Sequence, residues 1–100
     1  TRIVELALEH DTTIVSDEIH YDLVHPGAEH VPTLIIPGAS TCTIAVTSGI
    51  KTFAIGGLRC AVAVFGDERL RDRFDTVPEH LLTVPNRLGC EASIAAWDTG

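Results

Sequence analysis

The chain has 100 residues, enough for at most one domain, and its 45% content of hydrophobic residues excludes a disordered protein. Seven basic and fourteen acidic residues give a formal net charge of −7, which disfavours nucleic acid and anionic membrane surfaces as partners. No apolar run approaches the roughly 20 residues of a membrane span, and no segment has the pattern of a signal peptide.

The first half of the chain predicts one helix and two strands. Residues 2–10 have apolar side chains at helical spacing. The chain opens at Thr1 within this pattern, which indicates a fragment of a longer protein. Residues 12–16 form a short β-branched run that predicts a buried strand. Residues 30–40 contain two prolines and predict a loop with at most a short helical turn. Residues 41–47 lack polar alternation, which is typical of a strand covered on both faces.

The second half of the chain predicts one more strand and two helices. Residues 58–65 form a third apolar run, separated from the second by only ten residues. So short a link favours antiparallel pairing, because a parallel crossover needs about a dozen residues. Asp67 is a good N-cap for a helix over residues 68–74, and residues 89–97 predict a last helix. Three strands with these helices predict part of an α/β sheet and too little for a complete α/β domain.

The cysteines indicate a reducing compartment. Cys42, Cys60 and Cys90 are odd in number and widely spaced, which matches neither a disulfide framework nor a zinc site. Cys42 and Cys60 lie in apolar runs, so we expect buried free thiols there. These features predict a cytoplasmic protein.

Two charged residues follow predicted strands and are candidates for chemistry. Lys51 is the only lysine in the chain and has apolar residues just after it. Apolar surroundings favour loss of its proton and attack on a carbonyl to form a Schiff base; alternatively, its amine only extends to solvent from a strand end. Asp17 follows the first β-branched run, where ligands collect in open α/β sheets. Its carboxylate is a candidate partner for a protonated ring nitrogen, or else a helix-capping or surface acid.

Two further residues are candidates for binding a phosphate. The planar fork of Arg59 suits a phosphate, and Ser48 offers a hydroxyl donor. The alternatives are a salt bridge at a strand edge for Arg59 and a plain turn residue for Ser48. Three histidines recur every five residues, a spacing that matches neither a helix nor a strand face, so no metal site is predicted. Three arginines on the predicted helix over residues 68–74 indicate a solvated face.

Three motifs in order carry a resemblance to a known family. Residues 16–20 read SDEIH, residues 47–53 read TSGIKTF and residues 57–63 read GLRCAVA. Together they resemble the fold-type I pyridoxal-phosphate enzymes, and among these the MalY/PatB-type C–S β-lyases, which are cystathionine β-lyase-like. Residues 89–96 resemble the helix that follows in that family. The resemblance covers nearly the whole chain.

The resemblance implies a role for each candidate residue. Lys51 would bind the pyridoxal 5'-phosphate cofactor covalently and act as the catalytic base. Asp17 would keep the pyridine nitrogen protonated. His20 stands where the wider aminotransferase group usually has a tyrosine near the phenolic oxygen of the cofactor. Ser48 and Arg59 would hold the phosphate.

The resemblance also implies a fold and an activity. Residues 1–100 would be the central segment of the large domain, an incomplete part of an aminotransferase-like three-layer α/β sandwich. The parent enzyme would cleave cysteine-derived thioethers, such as cystathionine, to a thiol, pyruvate and ammonia. It would take a small amino-acid substrate and work as a homodimer. An aminotransferase is the first alternative, and a non-catalytic remnant is the second.

Three positions depart from the usual pattern of this branch. Ala54 stands where asparagine is usual, Ile50 where serine is usual, and Gly56 where alanine is usual. These changes leave the Schiff-base chemistry possible. The changes at Ile50 and Ala54 remove polar groups near the cofactor, and together with the truncation of the chain they favour the non-catalytic alternative.

Overall fold

A computed structural model describes residues 1–100. Its regular elements follow in the order α1 (Arg2–Glu9), β1 (Ile14–Asp17), β2 (Thr43–Thr47), β3 (Val62–Phe65), α2 (Glu68–Asp75) and α3 (Arg87–Thr99). Short 3-10 turns lie at Thr33–Ile35, Ala39–Thr41, Gly56–Leu58 and Glu79–Leu81. None of the helices combines the length and the apolar character needed to cross a bilayer. The predicted order of helices and strands is confirmed.

The three strands form one mixed sheet in the order β1-β2-β3. β1 and β2 are parallel, with Asp17 opposite Val46. β2 and β3 are antiparallel, with Thr47 opposite Val62, which confirms the pairing expected from the short link. The carboxyl ends of β1 and β2 and the amino end of β3 therefore lie at one end of the sheet.

One face of the sheet is covered by α1 and by the chain that leads into β2. Val4 and Ala7 are buried on one side of α1, as their spacing of three residues dictates. They form a small core with Ala39 and Cys42. Burial of Val4, which is only 1% exposed, contributes roughly 1.5–3 kcal/mol. This core holds the amino ends of β1 and β2, away from the end that carries the candidate residues.

α2 packs on the opposite face through an aromatic pair. The ring centroids of Phe65 in β3 and Phe74 in α2 are 5.3 Å apart. Asp67 caps the helix as predicted, because its side chain accepts a hydrogen bond from the backbone N–H of Arg69 at 2.8 Å. The Arg69 guanidinium also contacts this carboxylate and holds its pKa down at about 2.

α3 is anchored to the turn that precedes β3. The side chain of Asn86 caps the helix by accepting from the N–H of Gly89 and donates at 2.6 Å to the carbonyl of Leu58. A Cβ atom on Gly89 would lie 2.5 Å from the same carbonyl, so only glycine fits this approach. α3 begins at Arg87, two residues before the predicted start, because Asn86 provides the cap.

Two of the predicted strands needed correction. The run 58–65 is a strand only from Val62, because residues 56–58 form a 3-10 turn and Arg59 has a left-handed backbone with φ of 47°. The first strand covers Ile14–Asp17 and is not buried, since Val15 is 67% exposed. Only β2, the central strand, approaches the expected cover on both faces. Cys42 and Cys60 are buried free thiols, as predicted.

Candidate active site

The sheet places the segments that carry Asp17, Ser48, Lys51 and Arg59 at one end. Asp17 is the last residue of β1, and the ladder continues for one more step, because the N–H of Glu18 donates to the carbonyl of Val46 at 2.8 Å. Ser48 directly follows β2. Arg59 precedes β3, which enters the sheet from this end. This is the edge at which open α/β sheets bind ligands.

Lys51 lies in a tight turn after β2. The N–H of Phe53 donates to the carbonyl of Gly49, and that of Ile55 donates to the carbonyl of Ile50, both at 3.0 Å. The hydroxyl of Thr52 donates at 3.1 Å to the carboxylate of Asp22, which lies shortly after β1. This hydrogen bond ties the lysine turn to the chain that follows Asp17. The side chain of Lys51 is exposed to solvent.

Ser48 is fully buried and joins the lysine turn to the arginine turn. Its hydroxyl donates to the carbonyl of Cys60, the residue after Arg59, and accepts from the N–H of Ile50 at 3.2 Å. Because a serine hydroxyl has one proton, that proton is already engaged. The arrangement supports a structural role for Ser48 between the two turns, and its predicted contact with a phosphate stays a prediction.

Arg59 is exposed and adopts a left-handed backbone rather than an extended one. Arg59 directly follows the 3-10 turn Gly56–Leu58 and precedes β3, at the end of the sheet that carries Asp17. Of the three non-glycine residues with positive φ, two flank the candidate site: Ala54 with φ of 54° and Arg59 with φ of 47°. Such residues cluster at functional sites in proteins.

Three charged side chains at this end of the sheet have no ion-pair partners. Asp17, Lys51 and Arg59 are all exposed, and none of them takes part in a salt bridge. One oxygen of Asp17 accepts from the N–H of Ile19 at 3.2 Å. An amine, a carboxylate and a guanidinium are thus exposed on the segments at this end of the sheet. His20 is exposed in the turn after β1, and its place beside a cofactor stays a prediction.

A polar cluster that the sequence analysis missed lies beside Asp17. We define the Glu18 cluster as Ser16, Glu18, His30 and Thr33. One carboxylate oxygen of Glu18 accepts from the Ser16 hydroxyl and from the Thr33 N–H, both at 2.9 Å. The other lies 3.2 Å from Nε2 of His30, and the hydroxyls of Ser16 and Thr33 are 2.7 Å apart. Ser16 and Glu18 belong to the motif SDEIH, but nothing in the sequence pointed to His30 or Thr33.

The hydrogen bonds of the Glu18 cluster lower the pKa of the Glu18 carboxyl by more than its burial raises it. The side chain of Glu18 is only 10% exposed. This burial alone would raise its pKa, but the bonds from Thr33, His30 and Ser16 leave the pKa of Glu18 below its ordinary value of 4.5. Glu18 is therefore ionised at neutral pH and holds the chain around residues 30–33 against the end of β1.

The lowered pKa of Glu18 predicts acid-sensitive stability. A carboxylate with a depressed folded pKa contributes stability above its unfolded pKa, near 4.5, and loses it as the pH falls through the folded value. We expect Glu18→Gln to lower the melting temperature of the intact protein at pH 7 more than at pH 3. Thermal scans at both pH values measure this. The matched control is Glu29→Gln, an exposed glutamate; an equal loss for Glu18→Gln at both pH values would contradict the expectation.

Ala54 ends the lysine turn with a left-handed backbone, where asparagine is tolerated better than alanine. We expect Ala54→Asn to raise the free energy of unfolding by about 0.5–1 kcal/mol, since left-handed backbone costs L-residues roughly 1–2 kcal/mol. Urea unfolding of the intact protein measures the change. Ala61→Asn, at an exposed site without positive φ, should give no such gain. Equal effects of the two substitutions would refute the strain argument.

The sequence profile of aminotransferase class I and II matches residues 1–99. The chain belongs to this family. The family predicted from the three motifs is thereby confirmed.

Two relatives and one solved structure show which members of the family the chain is similar to. A Mycobacterium tuberculosis protein named "Putative cystathionine beta-lyase" is 39% identical over 98 residues, which is 98% of this chain and 24% of that protein. Kynurenine–oxoglutarate transaminase 3 of Mus musculus is 33% identical over 78 residues, 78% of this chain and 17% of the relative. Cystalysin from Treponema denticola, whose crystal structure contains a pyridoxal 5'-phosphate cofactor, superposes with a TM-score of 0.84 at 31% identity.

The superposition confirms the predicted fold class. It covers 99% of this chain and 26% of cystalysin, so the mixed sheet and its helices form part of a larger α/β fold. The chain likewise spans about a quarter of the length of the mycobacterial relative. The family membership and the fold therefore refer to this 100-residue segment.

Proposed function

We propose that the chain is the cofactor-binding segment of a pyridoxal-phosphate-dependent C–S β-lyase, and that residues 1–100 form the central segment of its large domain. The observation that carries the proposal is the set of charged groups at the carboxyl end of β1 and β2. An amine (Lys51), a carboxylate (Asp17) and a guanidinium (Arg59) lie there without ion-pair partners.

These donors fit the chemical groups of pyridoxal phosphate. The cofactor has an aldehyde that reacts with a primary amine, a ring nitrogen that binds a carboxylate when protonated, and a phosphate that suits the planar fork of arginine. Each of the three charged side chains thus has one complementary group. When bound, pyridoxal phosphate supplies an electron sink for the negative charge that develops at the α-carbon of an amino acid.

The residues of this chain would bind, orient and move protons. Lys51 would hold the cofactor and then, once displaced by the amino group of the substrate, take the proton from the substrate α-carbon. Asp17 would keep a proton on the ring nitrogen by opposite charge. Arg59 would bind the phosphate, while Ser48 would keep the arginine and lysine turns together through its bonds to Cys60 and Ile50.

The names of two relatives favour two different outcomes for the reaction. The mycobacterial relative is named for cystathionine β-lyase and covers 98% of this chain at 39% identity, which supports loss of a thiol from the β-carbon. The mouse relative is named for a transaminase and covers 78% of this chain at 33% identity. We therefore place the lyase first and amino transfer to a keto acid second.

An assay of the intact protein distinguishes these activities. The protein saturated with cofactor is incubated with L-cystathionine, and pyruvate and free thiol are measured against free pyridoxal phosphate. A lyase releases both products in equal amounts without a keto acid. An aminotransferase needs 2-oxoglutarate and releases no thiol. Absence of both activities, with cofactor bound, would favour a non-catalytic member of the family.

Residues 1–100 alone should be inactive even when folded. Catalysis needs a positioned substrate carboxylate and a site closed to water, and the two cationic side chains at this end of the sheet are already assigned to the cofactor. The measurement is pyruvate release from cystathionine by the 100-residue chain, compared with free cofactor. Turnover well above that of free cofactor would contradict this prediction.

The assembly and the location of the intact enzyme are part of the same proposal. The family resemblance implies a homodimer that takes a small amino-acid substrate. The free thiols of Cys42, Cys60 and Cys90 are consistent with the reducing cytoplasm. Sedimentation of the intact protein tests the dimer, and cell fractionation tests the location.

A further inference from the structure

Asp17 is flanked by two residues that are bonded to the same neighbouring segment. Side chains alternate between the faces of a strand, so Ser16 and Glu18 extend to one face of the sheet and Asp17 to the other. The 2.9 Å hydrogen bond between the hydroxyl of Ser16 and the carboxylate of Glu18 is consistent with this placement. Both are also bonded to Thr33: the Ser16 hydroxyl is bonded to the Thr33 hydroxyl, and the Glu18 carboxylate accepts from the Thr33 backbone N–H.

The Glu18 cluster therefore sets which way Asp17 faces. If the chain rotated at Asp17, it would have to break the bonds of both neighbours at once. The backbone of Glu18 is held as well, since its N–H donates to the carbonyl of Val46 at 2.8 Å. His30 binds the second carboxylate oxygen of Glu18 at 3.2 Å, so the carboxylate is bonded through both of its oxygens. A carboxylate only 10% exposed is costly to bury unless hydrogen bonds satisfy it, so these bonds are needed to keep Glu18 in this place.

We propose that Glu18 is a positioning residue for Asp17: by bonding Ser16, His30 and Thr33 on one face of the sheet, it holds the Asp17 carboxylate toward the cofactor on the other. This inference rests on the proposed function. Glu18 touches neither cofactor nor substrate in this role and acts only through Asp17.

A double-mutant cycle in the intact protein tests the role. Glu18→Gln keeps the shape of the side chain but weakens bonds that depend on its charge, and we expect about a tenfold loss of turnover, the equivalent of ~1.4 kcal/mol. In the Asp17→Asn background, Glu18→Gln should lower turnover by less than about twofold, because the side chain that Glu18 positions no longer carries a charge. Glu29→Gln, at an exposed site on the same segment, should change turnover in neither background.

Two further measurements do not depend on turnover. The pH at which the visible absorbance of the bound cofactor changes should shift in Glu18→Gln in the same direction as in Asp17→Asn. The dissociation constant of pyridoxal phosphate should rise in both variants, and by a smaller factor in Glu18→Gln than in Asp17→Asn. A residue with only a structural role would lower the melting temperature and move neither quantity.

A milder variant keeps the test decisive if Glu18→Gln fails to fold. Ser16→Ala removes one hydroxyl and leaves the bonds of Glu18 to His30 and to the Thr33 N–H, so we expect about a threefold loss of turnover with the same absorbance shift.

The outcomes separate this role from the proposed function. An equal loss in the Asp17 and Asp17→Asn backgrounds, or an unchanged absorbance midpoint in both Glu18→Gln and Ser16→Ala, would overturn the positioning role. Covalent attachment of the cofactor that survives Lys51→Ala would overturn the proposed function instead.

Discussion

Replacing Lys51 with alanine in the intact, cofactor-saturated protein is expected to reduce turnover by at least about 10³-fold. Lys51 is the only lysine of the chain, and its turn is joined to the chain after Asp17 by the bond from Thr52 to Asp22. No other amine of these residues can replace it at this end of the sheet. The substitution removes both the nucleophile that holds the cofactor and the base that takes the α-proton.

The covalent attachment of the cofactor gives a measurement independent of turnover. In the native protein, borohydride should reduce the imine between Lys51 and the cofactor to a secondary amine, so the visible absorbance is lost and the near-ultraviolet absorbance of the reduced cofactor stays with the protein through gel filtration. In Lys51→Ala, the cofactor should elute freely. Arg73→Ala, an exposed cation on α2, is the matched control and should retain both attachment and turnover. Turnover of Lys51→Ala within tenfold of that of the native protein would contradict the assignment of Lys51 as the catalytic residue.

Local sequence signals predicted most of the elements of the fold. Asp67 was identified as a cap from its residue type alone, and the structure has it bonded to the N–H of Arg69. The antiparallel entry of β3 followed from the length of a single link. Both features depend on residues close together in the chain, where backbone geometry and hydrogen bonding leave few alternatives.

The errors have a common physical cause, which is that apolar composition does not specify backbone dihedrals or distant neighbours. Residues 58–61 look like a strand in composition, yet Arg59 turns the chain through a left-handed conformation because Ser48 and Asn86 bond the carbonyls on either side of it. Val15 looks like a core residue, but no element of this chain covers its side of β1.

The Glu18 cluster could not be predicted because its partners are remote. His30 and Thr33 lie 12 and 15 residues beyond Glu18, across a loop whose path no local pattern determines. The motif SDEIH identifies Asp17 as a candidate because a carboxylate after a strand can bind a protonated ring nitrogen. The structure adds that the two residues flanking Asp17 are bonded to the same loop, which connects local sequence to the orientation of the site.

Asp17→Asn is expected to slow the chemical step of the intact enzyme by about 10²–10³-fold while leaving its stability nearly unchanged. A carboxylate beside the ring nitrogen favours the protonated form of the ring through opposite charge, and the protonated ring withdraws electrons from the α-carbon. Asparagine keeps the shape of the side chain but not the charge. It also keeps an oxygen that can accept from the N–H of Ile19, now at 3.2 Å, so the turn after β1 should remain intact.

Turnover and melting temperature together decide between the two roles of Asp17. If Asp17 only caps the turn, the exchange should change stability by a few tenths of a kcal/mol and leave turnover alone, because aspartate and asparagine cap about equally well. Asp98→Asn, at an exposed site on α3, controls for the loss of one negative charge. With both variants saturated with cofactor, unchanged turnover in Asp17→Asn would show that Asp17 is not the partner of the ring nitrogen. In that case Asp17 would not connect the end of β1 to the cofactor, and Glu18 would have no cofactor-binding residue to position.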